Sequence, residues 1–63
     1  MESGVIKSVQ AFGYGQIRPD AGGGLVLFSR RVFNEDWANA VVGRAVDFER
    51  YVNFDEAKRV VGK

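Results

Sequence analysis

Cysteine and histidine are both absent from this sequence of 63 residues. Their absence excludes disulfide bonds, a thiolate nucleophile, the usual zinc ligands and the most common general base. The lack of cysteine also fits a reducing compartment. A chain of this length predicts one small domain, residues 1–63, with little room for an enclosed catalytic pocket beside its core. We therefore expect a binding protein, without cofactor or metal, rather than an enzyme.

Long apolar runs and a strong charge imbalance are also missing. No apolar stretch approaches the roughly 20 residues that cross a bilayer, and no segment resembles a signal peptide. These features predict a soluble, cytoplasmic protein with no membrane partner. The net charge is only +1, which is less than a protein bound by phosphate contacts alone usually carries. The first 33 residues nevertheless have a small positive surplus, from Lys7, Arg18, Arg30 and Arg31 against Glu2 and Asp20.

Short strands separated by turns account for most of the chain. Segments rich in β-branched residues or with alternating character predict strands over residues 4–10, 14–18, 25–29 and 45–52. Pro19 and Asp20, followed by three glycines at 22–24, form the turn of a hairpin, because Pro fixes φ and Gly permits positive φ. In the last of these strands we expect inward side chains at Val46, Phe48 and either Tyr51 or Val52.

Two segments do not follow the strand pattern. Residues 33–42 predict a long connection with one or two short helical turns, which Asn34 can cap and Gly43 can end. The tail has two interpretations. Asn53 with Glu56 resembles a helical capping box, whereas residues 57–61 are also suited to a closing strand. Local chemistry leaves both open.

The pattern of several short strands and no long helix indicates an all-β fold, either a sandwich or a small antiparallel barrel. A barrel is preferable because closure removes the exposed strand edges that so small a domain can hardly protect.

Five segments of the chain, in order and at matching spacing, are similar to the motifs of the cold-shock domains. Residues 4–10 resemble the opening strand of that family, and Gly-Tyr-Gly-Gln-Ile-Arg-Pro-Asp at 13–20 resembles its first RNP motif. Residues 25–29, 43–49 and 57–60 match the second RNP motif, a Gly-x-x-Val-x-Phe-Glu motif and the terminal strand. The resemblance implies a five-stranded antiparallel OB-type β-barrel with a long loop or short helical turn between strands 3 and 4, and a strand at the tail.

The resemblance is stronger in the interior than on the binding face. Core positions are kept at Ile6, Ile17, Val26, Phe28, Val46 and Phe48. Members of the family bind single strands by stacking bases on exposed aromatic residues. Most of those aromatic residues, and one histidine, are replaced here, by Ser8, Val9, Gln16, Leu27, Ser29 and Arg30. Arginine compensates in part, because guanidinium planes also stack on bases.

The resemblance implies a reversible binder of single-stranded RNA or DNA, with a regulatory role in transcription or translation, acting as a monomer or weak dimer. The candidate nucleic-acid-binding residues are Lys7, Phe12, Tyr14, Arg18, Leu27, Arg30, Arg31 and Trp37. Phe12 is either an exposed stacking residue or part of the core, and Trp37 either contacts ligand or closes one end of the barrel. The alternative function is a protein-binding module of the transcription or translation machinery, with an exposed apolar set at Val9, Leu27 and Trp37.

Overall fold

One antiparallel sheet of five strands forms the framework of the domain. The computed structural model describes all of residues 1–63. The strands are β1 (Glu2–Gln10), β2 (Tyr14–Pro19), β3 (Val26–Ser29), β4 (Ala45–Arg50) and β5 (Ala57–Gly62). Their order in the sheet is β3-β2-β1-β4-β5. The predicted all-β class and the four predicted strands are confirmed, and the tail is a fifth strand rather than a helix.

The sheet curls until its two outer strands approach each other. The backbone N–H of Leu27 in β3 donates to the carbonyl oxygen of Asp55, just before β5, at 2.9 Å. Asn34, in the connection after β3, makes two hydrogen bonds to β5. Its N–H donates to the Val60 carbonyl oxygen, and its side-chain oxygen accepts from the Gly62 N–H, each at 3.0 Å. These bonds occupy edge groups that would otherwise be unpaired, and the result is a small OB-like barrel. Asn34 therefore closes the barrel and is not the helical cap that was predicted.

The barrel encloses a core of ten buried apolar residues. All six core positions predicted from the sequence are among them, because alternate residues of a strand face the same side of the sheet. The others are Phe33, Ala40, Ala57 and Val60. The expectation that Tyr51 or Val52 points inward is wrong. Strand β4 ends at Arg50, and both residues lie exposed in the loop that turns at Asn53, whose φ is +66°.

The connection from β3 to β4 contains two short 3-10 helices, of which only the second lies within the predicted segment 33–42. They span Arg30–Val32 and Trp37–Asn39, and Asp36 caps the second by accepting a hydrogen bond from the Ala38 N–H at 3.0 Å. Neither is long enough or apolar enough to cross a membrane. The connection returns the chain across one end of the barrel, where Phe33 packs on Phe28 with 6.2 Å between the ring centroids.

A β-bulge at Lys7 changes which side chains of β1 face outward. Ile6 is opposite Ile17 and Ser8 is opposite Gln16, so Lys7 has no partner in the pairing with β2. The extra residue moves Val9 toward the interior, where it is half-buried against the core, and leaves Ser8 outside. The expectation that Val9 belongs to an exposed apolar set is therefore wrong.

Gly15 faces the core, and replacing it with alanine is expected to destabilise the domain. A Cβ at this position would lie 2.6 Å from the Phe28 ring and 2.9 Å from the Ser8 carbonyl oxygen. Overpacking of this kind costs about 1–3 kcal/mol. Urea denaturation would measure the loss in the free energy of unfolding. Gly24→Ala is the matched control, because no atom lies within 4 Å of its Cβ position. Equal stability of the two variants would contradict the prediction.

Candidate nucleic-acid interface

The outer face of β1, β2 and β3 forms the floor of an open groove. Strand register aligns Ser8 with Gln16 and Gln16 with Leu27 in one row across the three strands. In the next row Tyr14 lies between Gln10 and Ser29. The groove has a volume of about 500 Å³ and is lined by Ser8, Gln10, Phe12, Tyr14, Gly15, Gln16 and Leu27. This volume lies in the range of small-ligand sites, and three of the predicted binding residues meet in it.

Two aromatic rings stand at one end of this groove. Phe12, in the turn between β1 and β2, is 76% exposed, so it is not part of the core. Its ring lies 5.7 Å from that of Tyr14 at an interplanar angle of 57°. Tyr14 and Leu27 are 45% and 40% exposed. Exposed aromatic faces next to an open groove are suited to stacking against flat, unsaturated ligands.

The polar residues of the groove were not among the predicted binding residues. Ser8, Gln10 and Gln16 line it, and the Ser8 hydroxyl donates a hydrogen bond to Oε1 of Gln16 at 2.9 Å. A signal for Gln16 was available, because it is two residues from Tyr14 and so shares its face of β2. For Ser8 the alternation of the strand gave no signal, because its outward direction depends on the bulge at Lys7. Only the resemblance to the cold-shock domains aligned Ser8 with a residue of the binding face.

Trp37 closes the end of the barrel beside the groove. Its ring centroid lies 5.5 Å from that of Phe28 and 6.0 Å from that of Phe33, and its indole N–H donates to the Gln10 carbonyl oxygen at 3.1 Å. The side chain is half-buried. These contacts show that Trp37 closes one end of the barrel, which is one of its two predicted roles. Contact with a ligand stays a prediction.

One of the predicted cations, Arg30, adjoins the aromatic end of the groove, and a second follows it in the chain. The N–H of Arg30 donates to the Gly13 carbonyl oxygen at 2.8 Å, and its side chain passes Gly13, between Phe12 and Tyr14 in the sequence. Arg31 follows in the same short helix and is exposed.

The other two cations lie further along the same strands. Lys7 and Arg18 are exposed and line a second, smaller cleft of about 250 Å³ with Val5 and Val42. Arg18 is two residues beyond Gln16 on β2, so its side chain leaves the same face of that strand. The cations therefore lie at both ends of the groove.

The ion pairs of the molecule are concentrated around β4 and β5, where Arg59 is the one cation left unpaired. Five contacts between 2.6 and 3.7 Å join Arg44 to Glu35, Arg50 to Glu2 and Asp55, Lys58 to Glu49, and Lys63 to Asp47. Every one involves a cation of β4, of β5 or of a residue next to these strands. None of Lys7, Arg18, Arg30 and Arg31 takes part in an ion pair. A net charge of +1 thus conceals an uncompensated positive region around the groove.

The paired carboxylates are expected to make folding stability depend on acid. A hydrogen bond from Arg50 lowers the pKa of Glu2 and one from Arg44 lowers that of Glu35, both from an ordinary 4.5. Hydrogen bonds from Ser3 and then Lys63 lower the pKa of Asp47 from 3.8. Because the unfolded chain then binds protons more readily, this stabilisation is complete above about pH 4.5 and is lost as the pH falls through the lowered pKa values.

Thermal unfolding between pH 7 and pH 2 at constant ionic strength would measure this decline. Asp47→Asn should make the fall in Tm smaller, because one of the three titrating groups is gone. Asp20→Asn removes a carboxylate that makes no ion pair and should leave the decline unchanged. A Tm that does not vary over this pH range would contradict the linkage.

Comparison with models of known protein families and with curated proteins finds no match to this chain. The assignment of a function therefore depends on the groove and on the charges around it.

Proposed function

We propose that this domain binds single-stranded RNA or DNA in the groove on the outer face of β1 to β3. One observation carries the proposal: the groove with exposed Phe12 and Tyr14 lies in the region where cations have no ion-pair partner. Single-strand binding needs both features, because bases stack on aromatic side chains while positive charge attracts the phosphates.

Binding of this kind is reversible and requires neither a cofactor nor the breaking of a bond. Bases stack on Tyr14 and Phe12, each stack contributing about 1–3 kcal/mol, and Leu27 adds apolar contact. Arg30, Arg31, Lys7 and Arg18 contact the phosphates, which fixes the strand along the groove but carries no sequence information. A cytoplasmic regulator that keeps RNA unpaired, or acts on transcription or translation, would use such a surface.

Titration of fluorescently labelled oligonucleotides would test the proposal. Oligomers of about eight nucleotides match the strand length that one OB domain covers. We expect a Kd below about 100 μM at low salt, with log K falling against log salt at a slope of about −3 if four phosphates are contacted. Duplexes of the same sequence should bind more weakly, because their bases cannot reach the rings. If the oligonucleotides do not bind at about 100 μM protein at low salt, the proposal is overturned.

Replacing Arg30 and Arg31 with glutamine is expected to weaken binding to every oligonucleotide and to reduce the salt slope by about 1.4, since each single-strand phosphate contact contributes about 0.7. The double variant should fold normally because both side chains are exposed. Arg59→Gln is the control: Arg59 is an exposed cation without an ion pair, but it lies on β5. A salt slope that falls by about 0.7 in the control, the same amount per charge removed, would mean that the effect is one of net charge only.

A specific observation also favours a protein-binding function. The loop between β4 and β5 exposes Tyr51, Val52 and Phe54, the last two at 81% and 68%. Large apolar side chains in one short loop suit a protein interface. If this loop binds a protein, the domain should capture that protein even after nuclease treatment. Replacing Val52 and Phe54 with serine should then abolish the capture. Capture lost with nuclease, and unaffected by these substitutions, would contradict this second function.

A further inference from the structure

We infer that Gln16 selects the base bound in the groove by donating a hydrogen bond to a carbonyl oxygen of that base, with Ser8 holding the amide in place. The inference rests on the proposed function. It assigns Gln16 as a specificity-determining residue and Ser8 as its positioning residue.

The orientation of the amide is the first step. Ser8 and Gln16 are directly opposed in the pairing of β1 with β2, and the Ser8 hydroxyl donates to Gln16 Oε1 at 2.9 Å. The carbonyl end of the amide is thereby tied to β1. The Nε2 end makes no hydrogen bond within the protein, so its two N–H groups are free to bind a ligand.

The position of Gln16 in the groove is the second step. It is half-buried on the floor, next to Leu27 on β3 and two residues from Tyr14 on its own strand. Residues at this spacing on one face of a strand are about 7 Å apart. A base that stacks on Tyr14 and extends along β2 therefore brings one edge to the Gln16 amide.

The chemistry of the bases is the third step. Thymine, uracil, cytosine and guanine each carry at least one carbonyl oxygen, which projects from the ring and has two lone pairs. Adenine has no carbonyl oxygen. Its acceptors N7 and N1 are ring nitrogens with one lone pair each, and both lie beside the 6-amino group, whose N–H groups oppose a second donor. An amide whose oxygen already accepts from Ser8 offers mainly donors. Gln10 also lines the groove, but its side-chain amide has no protein partner, so it can turn either end to a base and does not discriminate.

Binding of dT and dA oligomers of about eight nucleotides to the wild type and to Gln16→Met would test the inference. Methionine keeps the length and apolar contact of the side chain but donates no hydrogen bond. One lost hydrogen bond corresponds to about a two- to twelvefold change in affinity. We expect the ratio of dT affinity to dA affinity to fall by this factor in the variant, while dA affinity stays nearly constant. Differences in self-stacking between the oligomers cancel, because only the change in the ratio is used.

Two further variants separate positioning from contact. Ser8→Ala should lower the dT:dA ratio in part, because the amide is intact but no longer held. Gln10→Met is the matched control and should leave the ratio unchanged. An independent measurement uses the side-chain amide resonance of Gln16 in a ¹⁵N spectrum of the wild type. Addition of dT should shift it strongly, and addition of dA should shift it little.

The outcomes distinguish this inference from the proposed function. Binding with a dT:dA ratio that is the same in the wild type and Gln16→Met, or a Gln16 amide resonance that responds equally to both oligomers, would overturn the inference and leave single-strand binding intact. Failure of the wild type to bind any oligomer would overturn both.

Discussion

Phe28→Ala is expected to leave most of the molecules unfolded at 25 °C. Phe28 is fully buried, packs against Phe33 and Trp37, and lies beneath Gly15 on the groove side of the barrel. Truncation of a buried phenylalanine to alanine costs about 3–5 kcal/mol. A single core in a domain of this size rarely supplies more than about 3–5 kcal/mol of stability in all. The loss is therefore comparable to the whole free energy of unfolding.

Far-UV circular dichroism and Trp37 fluorescence would show the effect, the second because Trp37 packs directly on the ring that is removed. Phe54→Ala is the matched control, because the same atoms are deleted from a side chain that is 68% exposed. Its free energy of unfolding should stay within about 0.5 kcal/mol of the wild-type value. A Phe28→Ala variant that unfolds cooperatively with a loss below about 1 kcal/mol would show that this ring is not central to the core.

The interior of the barrel was predictable because one physical rule governs it. Strand side chains alternate in direction, so the spacing of Ile17 on β2, and of Val26 and Phe28 on β3, identifies one face before any pairing is known. The hairpin between these strands follows from the turn chemistry of Pro19 and Asp20. The closing strand was less certain from local chemistry, because only burial of Ala57 and Val60 against the other strands favours it over a helix.

The wrong predictions concern side chains whose direction depends on the pairing of segments that are distant in the sequence. The bulge at Lys7 lies in the pairing of β1 with β2, where Lys7 has no partner, and nothing in the local sequence reveals it. It reverses the alternation, so that Val9 turns inward and Ser8 outward. Asn34 is a second case: its position favours a helical cap, but the approach of β5 offers its side chain a backbone N–H instead.

The positive region around the groove also could not be read from composition. Arg50 pairs with Glu2 at 2.7 Å, although 48 positions separate them in the chain. Ion pairs of this kind involve most of the acidic residues. Only the folded topology shows which cations have no acidic partner. A net charge of +1 therefore understated the attraction that the face of β1 to β3 can exert on phosphate.

Tyr14→Ala is expected to weaken single-strand binding by about 5- to 150-fold, which corresponds to one lost base stack of about 1–3 kcal/mol. The ring stands beside Phe12 at one end of the groove, where a base has an open face to stack on. Phe12 is the other aromatic side chain that lines the groove, so little else can replace the stacking energy that is lost with Tyr14. The stability of the domain should change little, because the side chain is 45% exposed.

Tyr51→Ala is the control that isolates the position from the residue type. Tyr51 is 44% exposed, almost the same as Tyr14, but it lies at the end of β4 in the loop that leads to β5. Anisotropy titrations at one low salt concentration would compare both variants with the wild type. We expect Tyr51→Ala to bind within about twofold of the wild type, because Tyr51 lies outside the groove. A change of this size is smaller than the loss of a single hydrogen bond would cause. If both variants lose affinity equally, bases contact the β4–β5 loop as well, and the groove alone is not the site. If neither loses affinity, stacking on Tyr14 is not how this domain holds a strand.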